Sequence, residues 1–186
     1  MKIVLGSGSP RRKDLLKEMG YDFRIEVPTI AEIIQTEWPL NKVAENLALL
    51  KGISLIEHIK KDEILICADT IVLHNSNILG KPSNKKEALE MLLNLSGNSH
   101  EVITGVAIMN KNRKIVFSET TKVEIKPLEE KDIIHYIDTF NPFDKAGSYG
   151  IQEWIGFIGV SKIIGSYTNV VGLPTARLHS ELKGFL

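Results

Sequence analysis

The sequence predicts an α/β protein built on a mixed sheet, and three observations predict it. Helix-like and strand-like segments are interleaved from end to end, without the strict alternation that a doubly wound parallel sheet imposes. Two long β-type runs, "HEVITGVAIMN" and "RKIVFSETTKVEIKPL", are joined by the "KNRK" turn, which predicts neighbouring antiparallel strands. The 186 residues are 43% hydrophobic and 25% charged, enough to bury a core. No repeat, low-complexity tract or linker divides them. One domain over residues 1–186 is expected, pinched into two lobes, with the cleft between lobes as the default ligand site.

The elements follow in order. "KIVL" reads as a short buried strand that opens into a Gly-Ser loop. Ser9 is placed to cap the next helix and Pro10 suits its first turn, where a missing N–H costs nothing. That helix runs through "RRKDLLKEM" and stops at Gly20. "YDFRIEV" alternates like a strand. From Asn41, "NKVAENLALLKGISLIEHI" has apolar residues at helical spacing. "ILICADTIVLHNSNILGKP" is an apolar strand, a polar turn at His74 to Asn77, and a second short strand. "SNKKEALEMLLNLSG" is a capped helix closed by Gly97, and "EEKDIIHYIDTF" is helical. "IGFIGVSKIIGSYTNVVG" reads as strand, turn, strand, and "PTARLHSELKGFL" as a terminal helix.

Bulk chemistry excludes several function classes. The 23 basic and 23 acidic side chains balance to zero net charge, which disfavours a broad nucleic-acid footprint but leaves room for a local basic pocket. Cys67, the single cysteine, forms no intramolecular disulfide, so a reducing compartment is expected. Its setting in "ILICADTIV" makes it a buried strand residue rather than a nucleophile. No segment approaches the ~20 apolar residues that span a bilayer. "MKIVLGSGSP" is too short an apolar run for a signal peptide. A cytoplasmic protein is expected. The five histidines, His58, His74, His100, His135 and His179, are scattered without metal-ligand spacing.

Three stretches carry candidate chemistry. In "LGSGSPRRKDLL", strand, flexible loop and helix N-terminus make an anion site. Gly6 and Gly8 let backbone approach a ligand, Ser7 and Ser9 offer hydroxyls, and Arg11 or Arg12 can clamp phosphate oxygens. It is neither a P-loop nor a dinucleotide fingerprint, since no Gly-Lys-Ser/Thr ends it and Arg11 stands where the third Gly belongs. An ordinary capped helix is the alternative reading. In "ADTIV", Asp69 is a carboxylate inside an apolar strand, costly unless paired or facing a cleft. It is a candidate general base or metal ligand, the alternative being a strand-end Asp that accepts backbone hydrogen bonds. Lys81 in "LGKP" follows across the turn and can return to the same end of the sheet. Finally, "NPFDKAGSYGIQ" packs charges, glycines and an amide between elements, a composition that suits either a site or a structured turn.

Together these segments resemble the Maf-type nucleoside triphosphate pyrophosphatases. The resemblance rests on "SGSPRRKDLL", "ADTIV", "LGKP", "MLLNLSGNSHEVITGVAI", "DKAGSYGIQ" and "IIGSYTNVVGLP", in the family's order over nearly the whole chain. It implies a two-lobed fold like that of the inosine triphosphatases, with the active site in the interlobe cleft. It implies hydrolysis of a nucleoside triphosphate between the α and β phosphates, with a divalent metal (Mg or Mn), in a homodimer. Asp69 matches the family's proton acceptor. Ser7, Arg11, Arg12, Glu32, Lys51 and Lys81 fall at or near its polar site positions, and Asp69 and Glu32 are the expected metal ligands. Arg12, Thr70 and Gln152 are similar to the branch that prefers dTTP and UTP over 7-methyl-GTP. Three positions depart from the family pattern. Asn141 stands where an acid commonly precedes Pro, Ser148 replaces a usual Ala, and Glu153-Trp154 follow Gln152 where Gly is usual. The family's link to septum formation supplies a rival expectation, a non-catalytic nucleotide-binding regulator of cell division.

Overall fold

The computed structural model describes residues 2–31 and 33–185. In chain order the elements are β1 (Lys2–Gly6), α1 (Pro10–Glu18), β2 (Phe23–Ile25), α2 (Val43–Leu55), β3 (Glu63–His74), β4 (Asn77–Leu79) and α3 (Lys85–Leu95). There follow β5 (Ser99–Met109), β6 (Lys114–Ile125), α4 (Glu130–Phe140), α5 (Trp154–Gly159), β7 (Val160–Ile164), α6 (Tyr167–Val171) and α7 (Thr175–Leu182). The strands form one mixed sheet in the order β2-β1-β3-β5-β6-β7, with β4 paired to β3. β1 runs parallel to both β2 and β3, whereas β3–β4 and β6–β7 are antiparallel.

The chain divides into two compact units, and the division falls inside β3, β5 and β6. The first comprises residues 1–70, 104–119 and 172–186; the second comprises residues 71–103 and 120–171.

In the first unit, strand alternation sorts side chains onto two faces. Ile3, Leu5, Ile64, Ile66, Ala68, Val106 and Ile108 pack with Leu16 of α1 and with Leu178 and Leu182 of α7. The residues between them face the other way. Val4, Leu65 and Cys67 pack with Leu55 of α2 and with Ile59, and Ala107 and Met109 pack with Ala48 of α2. α1 and α7 therefore cover one face of these strands and α2 covers the other. In the second unit, Val72, Val102, Val123 and Ile125 pack with Leu92 of α3, Tyr136 of α4 and Ile155 of α5.

Most expected elements are present. α3 is capped as expected, with the Asn84 side chain accepting from the Glu87 N–H at 3.0 Å. The β3–β4 turn uses Asn75 and Ser76 in left-handed conformations, φ 48° and 62°, as a tight two-residue hairpin requires. Three expectations change. Ser9 occupies the N-cap position of α1 but its side chain makes no capping bond; instead its N–H donates to Ser7 Oγ at 3.2 Å. "YDFRIEV" contributes only three strand residues. "IGFIGVSKIIGSYTNVVG" is helix, strand, helix: α5, β7 and α6, not strand, turn, strand. Its branched residues suggest β structure, yet tertiary packing overrides that preference. Ile155 sits in the core beside α4, and Asn169 of α6 donates from Nδ2 to the Val102 carbonyl at 3.0 Å.

Two of the departing positions have a local explanation. Asn141 ends α4 in the left-handed conformation at φ 47°, which Asn tolerates better than most residues. Ser148, fully buried at φ 63°, directs its hydroxyl to Met91 Sδ at 3.1 Å.

Candidate active site

In the first unit the site begins with register. Gly6, the last residue of β1, pairs in parallel with Cys67 of β3. A Cβ on Gly6 would lie 2.2 Å from Cys67 Sγ, so glycine lets the end of β1 lie this close against β3. The chain then leaves β1 as the Ser7–Ser9 loop beside Ala68, Asp69 and Thr70, and enters α1.

Alternation along β3 sends Asp69 and Thr70 to opposite faces. Asp69 follows Leu65 and Cys67 onto the α2 face, where Lys51 meets it. Lys51 Nζ donates to Asp69 Oδ1 in a tight ion pair, with the residues only 6% and 7% exposed. A buried carboxylate needs such a partner, because leaving either charge alone costs several kcal/mol, on the order of 3–5. Ser54 ties the same helix turn by donating to the Lys51 carbonyl at 2.8 Å.

Thr70 follows Ala68 onto the α1 face, where Arg12 meets it. Arg12 donates from Nη2 to Thr70 Oγ1 at 3.0 Å, from Nη1 to Ser7 Oγ at 3.2 Å, and from Nε to the Gly172 carbonyl at 2.9 Å. The guanidinium plane is thus fixed by the loop, by β3 and by the segment that precedes α7. Thr70 Oγ1 also lies 2.9 Å from Thr104 Oγ1 on β5, and Thr104 is 0% exposed. Arg11 sits next to Arg12 on α1, half-buried. Burial pushes the Cys67 thiol up to about 12, so it is not a thiolate nucleophile.

In the second unit, "LGKP" and "DKAGSYGIQ" meet directly. The Gly147 N–H donates to the Gly80 carbonyl at 3.0 Å, beside the exposed Lys81. Gln152 is half-buried, and its Oε1 is buried with no hydrogen-bond partner among the described residues. Lys145, buried, pairs with Asp144 at 2.7 Å and with Glu153 at 3.1 Å.

Of the expected site residues, Ser7, Arg12 and Thr70 share one hydrogen-bonded group, and Lys51 and Asp69 form a second on the other face of β3. Lys81 and Gln152 belong to the second unit. Glu32 lies outside the described residues. Sequence reasoning did not find Thr104, the Gly172 carbonyl, Tyr136 or the pairing of Lys145 with Glu153. Thr104 sits in a β-branched strand run and Tyr136 in a helical apolar stripe, so both read as ordinary core.

The family model for Maf-like proteins matches residues 2–185. The chain is a member of the Maf family. It is 50% identical over 184 residues to a dTTP/UTP pyrophosphatase of Bacillus anthracis, covering 99% of this chain and 95% of that protein. It is 43% identical over 181 residues to a dTTP/UTP pyrophosphatase of Flavobacterium johnsoniae, covering 97% and 93%. The fold of this Maf chain is similar to that of a HAM1 protein from Coxiella burnetii, with a TM-score of 0.54 at 16% identity over 99% of both chains. A Staphylococcus aureus Ham1 protein aligns with a TM-score of 0.53 at 19% identity, covering 97% of this chain and all of the other. Among the described residues of this Maf chain, no helix is long and apolar enough to cross a membrane.

Proposed function

We propose that this Maf chain hydrolyses dTTP and UTP to the nucleoside monophosphate and pyrophosphate. The observation that carries the reading is the buried pair of Lys51 on α2 with Asp69 on β3, one residue from the Arg12–Thr70–Ser7 group. Attack on a triphosphate, which carries several negative charges, needs a base for the water and cations for the phosphates. Asp69 is the base: its carboxylate accepts the proton of the attacking water. Lys51 has three donors, so it can hold Asp69 and a phosphate oxygen together. Arg12, its plane fixed by three acceptors, presents a rigid cationic surface at the loop. Arg11 and Lys81 add charge for the triphosphate.

A magnesium or manganese ion fits the chemistry of Asp69, a hard oxygen donor. Among the described residues no group of three or more acidic, His or Cys side chains gathers. Such an ion would be held by Asp69, with Glu32, and would take its other oxygens from the triphosphate and water, as magnesium commonly does. When bound it would neutralise phosphate charge.

For the base, the unpartnered Gln152 Oε1 supports a pyrimidine with an N3–H donor, which thymine and uracil share. The zero net charge supports a small-molecule substrate over nucleic acid. We take the chain over residues 1–186 to work as one cytoplasmic Maf-type domain, assembled as a homodimer. Light scattering on the purified protein tests the dimer. The activity is tested by kcat/KM for dTTP, UTP, CTP, GTP and 7-methyl-GTP with magnesium or manganese, assaying pyrophosphate. Preference for dTTP and UTP is expected; preference for 7-methyl-GTP overturns the substrate assignment.

A further inference from the structure

We infer, on the reading that Arg12 meets the triphosphate, that Gly172 is a positioning residue that sets the aim of that guanidinium. Gly172 is buried in the segment that leads into α7, and its carbonyl accepts from Arg12 Nε at 2.9 Å. Ser7 Oγ and Thr70 Oγ1 accept from the far end of the same group, at 3.2 and 3.0 Å. A hydroxyl turns about its C–O bond to suit a new partner, whereas the carbonyl of a packed backbone does not. The segment around Gly172 is packed. Leu173, the next residue, is 0% exposed and shares a core with Leu16, which lies one turn along α1 from Arg12. Donor and acceptor are therefore carried by elements anchored in one core, and the bond at Nε fixes the root of the guanidinium.

The backbone explains why a glycine stands here. Gly172 has φ +127°, a conformation that L side chains rarely adopt. Space is not the obstacle. A Cβ would meet Thr70 Oγ1 at 3.6 Å and Arg12 Nε at 3.7 Å, both ordinary contacts. A side chain at this position is resisted by the dihedral angle and relieves the strain by turning the backbone. That turn swings the Gly172–Leu173 peptide, whose oxygen is the acceptor for Nε. Arg12 then keeps its charge but loses the bond that directs it. A planar guanidinium grips phosphate oxygens through its direction as well as its charge.

Gly172→Ala tests the role, with the Kd for α,β-methylene-dTTP in magnesium as the readout, measured by titration calorimetry. The stoichiometry reports the folded fraction, so the Kd is read free of any loss of folded protein. Gly172→Ala is expected to weaken binding by about fivefold or more, the scale of one hydrogen bond. The same change is then made in an Arg12→Lys background. Lysine carries a CH2 where arginine has Nε–H, so there Gly172→Ala should shift Kd by less than about twofold. A Gly172→Ala protein that binds within about twofold of the parent, or that loses equally in both backgrounds, overturns the positioning role. If the parent fails to bind the analogue, or Arg12→Lys binds it as the parent does, the reading of Arg12 falls and the positioning role falls with it. A measurement on the parent covers the case in which Gly172→Ala yields no folded protein. In 15N-labelled protein, the Arg12 Nε–H resonance, identified by its loss in Arg12→Lys, should exchange slowly with water. Exchange at the rate of a free arginine side chain overturns the role.

Discussion

Asp69 and Thr70 are neighbours in sequence but leave β3 on opposite faces, Asp69 to the Lys51 ammonium of α2 and Thr70 to the Arg12 guanidinium of α1. A single pleat therefore divides the chemistry. One face holds a carboxylate with a lysine, suited to deprotonating water. The other holds an arginine locked by hydroxyls and a carbonyl, suited to a phosphate.

The first prediction concerns Asp69. Asp69→Asn preserves shape and removes the proposed proton acceptor, so kcat should fall by roughly 10²-fold or more. Circular dichroism should show an unchanged fold. A folded variant with normal turnover would remove Asp69 from the chemistry.

Charge pairing makes a prediction about stability. Lys51→Met leaves Asp69 buried without its cation and should cost about 3–5 kcal/mol in urea unfolding. Adding Asp69→Asn to Lys51→Met should recover much of that loss, because the stranded charge is then gone. Additive losses in the double variant would mean that the two side chains are not coupled.

Thr104 acts on Arg12 at one remove. Thr104→Val keeps the shape and deletes the hydroxyl beside Thr70, so the hold on Thr70 and on Arg12 should loosen. A drop of about five- to tenfold in kcat/KM is expected, the scale of one hydrogen bond, with recovery in Thr104→Ser. Equal activity of the valine and serine variants would show that the hydroxyl serves packing alone.

A fourth prediction follows from His100, which lies 3% exposed with Nε2 2.6 Å from the Tyr149 hydroxyl. Burial, reinforced by the charge of His74, lowers its pKa from 6.5 to about 4. Between those values the unfolded chain binds the proton and the folded chain does not, so stability rises with pH through that window. Acidification from pH 6.5 to 4 should cost about 3 kcal/mol from this group, and His100→Gln should flatten the slope by that amount. Urea unfolding at several pH values checks it; equal slopes in the two proteins would place the titration elsewhere.

Much of this was legible in the sequence because local patterns carried it. The apolar run around Asp69 announced a buried carboxylate, and the Gly-Ser loop before Pro10 announced a strand-to-helix turn. What was not legible depended on partners distant in sequence. Thr104 lies 34 residues from Thr70, and Gly172 lies 160 residues from Arg12 and contributes only a carbonyl. The segment 154–171 misled because Ile and Val favour strands in isolation, whereas here the fold needs short helices that deliver Ile155 and Asn169 to buried positions. Glu153 showed itself as a departure from the family pattern, but only Tyr136, whose hydroxyl donates to it, and Lys145 beside it explain what the carboxylate does.

Which phosphorus the water attacks decides the reaction. Hydrolysis of dTTP in 18O-enriched water, followed by mass spectrometry of the products, decides it. Attack at the α-phosphorus by water deprotonated at Asp69 places the label in dTMP and leaves pyrophosphate unlabelled. Label in pyrophosphate, or release of dTDP and inorganic phosphate, would contradict the account.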